Sequence, residues 1–169
     1  MIQTQRLNIR NATPGDIDDI IALESHAENR DFLWIGTREE HLDEIGDPNH
    51  LLLVFTAKDG PAPVGYALIR LNPGSRWFEL RRIAIAVKGR GYGKEAMLAL
   101  LEHAFVALDM NKVWLDVYPH NTIGIRLYEG LGMHRDGVLR ENYFSSTHGF
   151  LDQIIYSMLR REYEAIKSN

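Results

Sequence analysis

A glycine-rich segment between an apolar run and an amphipathic run is the strongest constraint on the fold of this 169-residue chain. Residues 88–94 have the sequence Lys-Gly-Arg-Gly-Tyr-Gly-Lys. The apolar residues 83–87 before it predict a buried strand, and the good helix formers at 95–105 predict a helix after it. The first amides of a helix lack partners within the helix, and the helix dipole adds partial positive charge there. Because glycines let an anion approach the backbone closely, this order predicts a site for a phosphate-bearing ligand, a cofactor in our interpretation.

The spacing of the glycines separates the known kinds of phosphate loop. A P-loop requires Ser or Thr after its Gly-Lys pair, and here Glu95 follows Lys94. A dinucleotide fingerprint requires Gly-x-Gly-x-x-Gly, which alternating glycines at 89, 91 and 93 do not provide. A nucleotide-dependent kinase or a dinucleotide enzyme is therefore disfavoured.

The segment resembles the Gln/Arg-x-x-Gly-x-Gly/Ala loop of the GNAT (general N-acetyltransferase) family, with Lys in the first position. In that family the loop amides hold the pyrophosphate of acetyl-coenzyme A. The resemblance therefore implies acetyl-coenzyme A as cosubstrate and assigns seven residues to its binding, namely Lys88, Gly89, Arg90, Gly91, Tyr92, Gly93 and Lys94. The alternative is an ordinary turn between a strand and a helix.

A second motif follows a predicted strand at 112–118. Residues 121–133 resemble the family pattern Asn-x-x-Ala-x-x-Leu-Tyr-x-x-x-Gly-Phe, with Gly124 in place of Ala and Met133 in place of Phe. The resemblance extends from about Leu51 to Leu159, and its later part is similar to the branch that includes ribosomal-protein N-terminal and polyamine acetyltransferases. It implies a mixed α/β fold of the α+β type, in which a central, mostly antiparallel sheet splays beside the glycine loop and is flanked by helices.

Local patterns predict the same architecture. Their order is β-α-α-β-β-β-α-β-α-β-β, which is typical of a mixed α/β protein, and we expect a single domain over residues 1–169. Strands are predicted at 6–10, 51–57, 64–71, 77–87, 112–118, 137–144 and 150–159. Helices are predicted from residue 14, after Thr37 toward 45, at 94–108 and at 122–131.

Two side chains are the candidate catalytic groups, because acetyl transfer to an amine needs a base for the amine and an acid for the leaving thiolate. Tyr128 matches the family tyrosine that faces the thioester sulfur, so the resemblance implies a general acid. Glu79 lies on the strand before the glycine loop, where the family often has a glutamate that acts as base. The alternatives are core packing for Tyr128, and a strand charge paired with Arg81 or Arg82 for Glu79.

Four further residues are predicted to contact the cofactor. Backbone groups of Ile83 and Ile85 are placed to polarise the thioester carbonyl, and the alternative for their side chains is core packing. Asn121 matches the family residue that binds the cofactor arm, although an Asn there is also a good helix N-cap. Arg126 is the candidate for the adenosine end, and the alternative is an ordinary exposed arginine on a helix.

Composition excludes several other kinds of protein. A net charge of −4 argues against a general nucleic-acid binder. Without cysteine there is no thiolate metal site and no cysteine acyl intermediate, and the seven histidines lack zinc-like spacing, so no metal is expected. No apolar run is long enough to cross a membrane, and no signal peptide is visible. We expect a cytoplasmic protein, with a homodimer as candidate assembly.

The sequence therefore predicts direct acetyl transfer, in a ternary complex, to a primary amine of a small molecule or of a peptide or protein N-terminus. By resemblance, residues 26–34 and 141–149 would line the acceptor groove. A GNAT fold that senses acyl-coenzyme A without turnover is the alternative function.

Overall fold

The computed structural model describes residues 1–168, and its central element is one sheet of eight strands. The sheet order is β1-β2-β3-β4-β5-β6-β8-β7. Every neighbouring pair is antiparallel except β5 and β6, which are parallel. The strands are β1 Ile2–Gln3, β2 Leu7–Asn11, β3 His50–Ala57, β4 Pro63–Asn72, β5 Trp77–Ile85, β6 Lys112–Val117, β7 His134–Ser145 and β8 Gly149–Leu159. The predicted mixed α/β fold with a mostly antiparallel sheet is confirmed.

Five α-helices of residues 1–168 flank this sheet. They are α1 Ile17–Ser25, α2 Arg38–Gly46, α3 Tyr92–Glu102, α4 Thr122–Gly130 and α5 Arg160–Lys167. A 3-10 turn, Pro14–Asp16, leads into α1, and a π-helical turn, His103–Ala107, continues α3. The helix predicted after Thr37 begins with a capping box, because the Thr37 hydroxyl accepts from the Glu40 amide and the Glu40 carboxylate accepts from the Thr37 amide. Among the described residues, no helix combines the length and the apolar character that crossing a bilayer requires.

The short strand β1 and the helix α5 were not predicted. Helix α5 starts after Leu159, which is not a typical N-cap residue, and the Glu162 carboxylate accepts a hydrogen bond from the Leu159 amide at 2.8 Å. Its buried Tyr163 packs on Phe105 with ring centroids 4.9 Å apart. Tertiary packing therefore fixes this helix despite its weak start signal.

Both faces of the sheet are buried. Alternate residues of a strand point to opposite faces, and in β3 Leu53 and Phe55 join one core cluster while Leu52 and Val54 join the other. The larger cluster includes α3 and residues of α4 and α5, and the smaller one includes α1. Helices therefore cover the centre of the sheet on both faces.

The sheet forks between β5 and β6. These strands pair from Trp77 and Lys112 to Leu80 and Leu115, and no further. Arg81 is an extra residue at this point, a β-bulge, since Leu80 and Arg82 face consecutive residues of β4. A bulge bends its strand, and beyond it β5 stays paired with β4 while β6 stays paired with β8. The predicted splay beside the glycine loop is therefore present.

Candidate active site

A cleft of about 490 Å³ occupies the fork. Its walls are the ends of β5 and β6, the connection between α1 and α2, the start of α4, and residues of β7 and β8. The unpaired edge of β5 beyond Leu80 borders this space, so its backbone groups are available to a ligand.

The glycine loop ends at the N-terminus of α3. Gly89 and Gly91 both have φ of 76°, a left-handed conformation that strongly favours glycine, and Gly91 is the N-cap of α3. At Gly93 φ is not positive, and a Cβ there would lie 3.6 Å from Ile85 Cγ1. The loop thus presents the N-terminal amides of α3, and it has no side chain at the two left-handed positions, Gly89 and Gly91. Both features suit an anion site.

Arg6 supports this loop from the start of the chain. Its Nη1 donates to the Arg90 carbonyl at 2.7 Å, its guanidinium forms a 2.6 Å ion pair with Glu95, and its Cζ lies 5.0 Å from the centre of the Tyr92 ring. Sequence reasoning missed this role, because nothing local to residue 6 indicates contact with a loop more than eighty positions away.

The cations of the glycine loop point in different directions. Lys88 lines the cleft and its Nζ donates to Asn29 Oδ1 at 2.6 Å, on the side of the α1–α2 connection. Arg90, Lys94 and the helix residue Arg126 are exposed and do not line the cleft. The structure therefore does not bring these four cations together in one place.

Tyr128 and Asn121 both line the cleft from α4. Burial, followed by the negative charge of Asp116, raises the pKa of the Tyr128 hydroxyl, so it remains protonated and able to donate at neutral pH. The Asn121 side chain caps α4 by accepting from the Gly124 amide at 2.9 Å. A Cβ at Gly124 would approach the Asn121 side chain to 2.9 Å, so an alanine there would require that side chain to shift.

The two strand isoleucines differ in position. Ile83 lines the cleft, whereas the Ile85 side chain belongs to the core. Both lie on the stretch of β5 beyond its pairing with β6, where their backbone borders the fork.

Glu79 lies at the paired base of the fork and is not part of the cleft lining. Only 6% of its surface is exposed, and its Oε2 lies 2.7 Å from Arg70 Nε, an ion pair without good hydrogen-bond alignment. A longer contact of 3.9 Å joins it to Arg81. The carboxylate is therefore committed to arginine partners.

Asp116 is the carboxylate of β6 that does line the cleft. Burial raises its pKa, a hydrogen bond of 2.6 Å donated by Gln153 opposes that rise, and the negative charge of Glu79 adds to it. Sequence reasoning missed Asp116. The available signal was strand alternation, because Val113, Leu115 and Val117 are buried on one face of β6 and Asp116 must point to the other.

Aromatic rings form one wall of the cleft. Phe32 packs on His120 at 5.2 Å, and Tyr118 lies 5.2 Å from Tyr143, with His120 and Tyr118 stacked at 5.8 Å. Both predicted acceptor segments therefore reach the cleft. Phe144, which lies in the predicted segment 141–149, is instead 62% exposed and packs on Phe150 outside the cleft.

This fold and this forked cleft define a known class. A family model for an acetyltransferase (GNAT) domain matches residues 6–134, and the chain belongs to the GNAT acetyltransferase family. It is 24% identical to a spermine/spermidine N(1)-acetyltransferase of Bacillus subtilis over 144 residues, 80% of this chain and 93% of the relative. It is 40% identical to the ribosomal protein bS18-alanine N-acetyltransferase of Escherichia coli K12 over 63 residues, 36% of this chain and 42% of the relative.

A solved structure shares the whole fold. Spermidine N-acetyltransferase from Vibrio cholerae in complex with CoA and spermine superposes with a TM-score of 0.84 at 22% identity, covering 95% of this chain and 99% of that one. The predicted similarity to the ribosomal-protein and polyamine branch is confirmed. The chain spans about half the length of other curated relatives that it matches, 51% of one and 43% of another.

Proposed function

We propose that residues 1–169 form one N-acetyltransferase domain that moves the acetyl group of acetyl-coenzyme A directly to a primary amine in a ternary complex. The acceptor is a small-molecule amine or a peptide or protein N-terminus. The observation that carries the proposal is the pair formed by a buried, protonated Tyr128 and the carboxylate Asp116 in one cleft, at a strand fork next to a glycine loop.

The glycine loop fits the diphosphate of the cofactor. Its two left-handed glycines and the first amides of α3 would hold that group. Lys88, Arg90, Tyr92 and Lys94 would take part through the loop backbone, since the Lys88 side chain is bound to Asn29 and those of Arg90 and Lys94 are exposed outside the cleft. The pantetheine arm would follow the unpaired backbone of Ile83 and Ile85, whose N–H groups would polarise the thioester carbonyl, and Asn121 would bind the arm from α4. Arg126 would approach the adenosine end.

Proton transfer in this proposal uses two side chains. Asp116 accepts a proton from the amine, whose nitrogen bonds to the carbonyl carbon as the C–S bond breaks. Tyr128 donates its proton to the departing thiolate. Glu79, the base predicted from sequence, is retained as the alternative to Asp116, which it influences through its charge. Among residues 1–168 no group of His, Asp or Glu is placed to hold a metal ion, and the proposal uses none.

The first experiment measures thiol release from acetyl-coenzyme A with a panel of polyamines, aminoglycosides, amino acids and peptides of varied N-terminus. Release with one class, lost in Tyr128→Phe, supports the proposal and identifies the acceptor group. Tight acetyl-coenzyme A binding without release for any amine would favour the non-catalytic sensor instead. The presence of both Tyr128 and Asp116 in the cleft favours turnover.

Location and assembly complete the proposal. We place the protein in the cytoplasm, because its proposed donor is a cytoplasmic metabolite, and we assign it neither a nucleic-acid nor a membrane partner. A homodimer is supported by the edge strand β7, on which Leu139 and Phe144 are exposed, and by the exposed Phe150 of the neighbouring β8. Light scattering coupled to gel filtration measures this directly, and a monomer at all concentrations would refute it.

A further inference from the structure

The connection between α1 and α2, residues 26–36, has its two ends held together by one carboxylate, that of Glu24. We call this connection the acceptor loop, since Glu28, Asn29, Phe32, Leu33 and Trp34 of it line the cleft. Glu24, in the last turn of α1, accepts a hydrogen bond from the Gly36 amide at 2.8 Å, just before α2. The two ends of the acceptor loop therefore meet at Glu24.

The same carboxylate joins four elements of the fold. Glu24 is fully buried, and it accepts a 2.6 Å hydrogen bond from the Tyr66 hydroxyl of β4. Its Oε2 lies 3.2 Å from His41 Nε2 of α2, and its Oε1 lies 3.6 Å from Arg82 Nη1 of β5. Arg82 also lines the cleft. Glu24 thus holds the end of the acceptor loop by a hydrogen bond and attracts a cation of the cleft wall by charge alone, since Arg82 Nη1 has no hydrogen-bond partner among the described residues.

The charges of this cluster balance. His41 is also 2.7 Å from Glu44, and Arg82 is 3.4 Å from Glu44, so two acids face two bases. Burial alone would raise the pKa of Glu24, but hydrogen bonds from His41, Tyr66 and Gly36 lower it. Burial alone would lower the pKa of His41, but Glu24 and Glu44 raise it to about 9. At neutral pH the cluster therefore contains a charged histidine.

The cluster around Glu24 leaves no room for a side chain at position 36. A Cβ at residue 36 would lie 2.6 Å from His41 Nε2 and 3.2 Å from Arg82 Nη1. Any larger residue must displace the imidazole from Glu24. Position 36 therefore offers a way to disturb the cluster without removing a charge.

We propose that Glu24 is a positioning residue for the amine acceptor, which acts by holding the acceptor loop and Arg82 against the cleft. This inference rests on the proposed function. The cluster side chains contact one another and the neck of the acceptor loop, and the acceptor loop meets the glycine loop through the hydrogen bond from Lys88 to Asn29. The acetyl-coenzyme A side should therefore depend on Glu24 much less than the acceptor side does.

Steady-state kinetics of Glu24→Gln and Gly36→Ala test the proposal. We expect KM for the amine to rise by about tenfold or more, and KM for acetyl-coenzyme A to stay within about twofold, because only acceptor binding is disturbed. The matched control is Glu39→Gln, an exposed glutamate of α2, which should change neither constant. An unchanged KM for the amine in folded protein, or an equal rise of both constants, would overturn the proposal.

A pH titration of Trp34 gives a readout without turnover. Glu24 and Glu44 face His41 directly, and Tyr66 and Arg82 face those two carboxylates. As pH rises through about 9, His41 loses its proton and its pairing with Glu24 weakens. The indole NMR signal of Trp34, assigned with Trp34→Phe, should therefore titrate near that pH in wild type and at lower pH in Glu44→Gln. A signal that does not titrate overturns the anchoring, whereas absence of acetyl transfer in wild type would refute only the proposed function.

Discussion

The two sides of the cleft differ in the groups that form them, backbone groups on one side and side chains on the other. The proposed cofactor side consists of backbone groups, two left-handed glycines and a helix N-terminus, with exposed cations around them. The proposed acceptor side depends on side chains, with buried charged residues behind aromatic rings. A backbone site suits a ligand part that never varies, whereas a side-chain site can change with single substitutions. The cofactor side is therefore expected to be general and the acceptor side specific.

The largest expected effect is on the cofactor side, from Gly91→Glu. The substitution forces a side chain into a φ of 76° and places a carboxylate where the phosphate belongs. We expect binding of coenzyme A to weaken by at least ~100-fold, because both strain and charge oppose it. Titration calorimetry measures this, with Gly60→Glu in the turn after β3, where a Cβ meets nothing within 4 Å, as control. Unchanged affinity would refute the assignment of the loop.

The next effect distinguishes chemistry from binding, and it concerns Tyr128→Phe. Removing the proton donor should lower kcat by ~10²-fold and leave coenzyme A binding intact. Tyr156→Phe is the matched control, since its ring lies 6.1 Å from Tyr128 and its hydroxyl donates to Glu129 instead. If both variants keep wild-type kcat, Tyr128 has only a packing role.

The dependence of the rate on pH, on its acidic limb, distinguishes Asp116 from Glu79 as the general base. Asp116 must be ionised to act as base, so the rate should rise as pH increases through its pKa, which lies above the usual 3.8. Glu79 raises that pKa by its negative charge, and Glu79→Gln should therefore move the limb to lower pH. Asp116→Asn should lower kcat/KM by about 10²-fold.

The opposite pattern identifies the other base. If the rate of Asp116→Asn still rises with pH on the acidic side and the rate of Glu79→Gln does not, Glu79 is the base, as the sequence predicted. Such a result would require Glu79 to leave its 2.7 Å ion pair with Arg70 during catalysis. Proton uptake measured by NMR on both carboxylates would then separate the two titrations.

The same difference between the two sides explains what the sequence could predict. The glycine loop is contiguous in the sequence, so residues 83–105 alone predict its strand, its glycines and its helix. The order of the elements and the splayed sheet are predicted from the resemblance that this loop supports. The cluster around Glu24 joins positions 36, 41, 66 and 82, and only folding brings them together. The alternation of buried residues along β6 could have predicted that Asp116 points to the cleft face. It was overlooked, because a single acid in a strand is usually solvated.

The smallest expected effect concerns the side-chain support of the cofactor side, and Arg6→Met tests it. The ion pair with Glu95 is partly exposed, so its loss should cost less than about 1 kcal/mol of unfolding free energy. The hydrogen bond to the Arg90 carbonyl holds the loop, and we expect KM for acetyl-coenzyme A to rise about threefold, with KM for the amine unchanged. Arg38→Met, which removes an exposed ion pair with Asp18, is the matched control.

This last result sharpens the comparison in either direction. A rise confined to acetyl-coenzyme A, set against a rise confined to the amine in Glu24→Gln, would show that the two sides of the cleft are supported independently. No change for Arg6→Met would mean that the left-handed glycines alone order the loop, since the backbone conformation at Gly89 and Gly91 needs no external support. A rise in both constants would instead show that the loop and the acceptor side are coupled, and the 2.6 Å hydrogen bond between Lys88 and Asn29 is the contact that joins them.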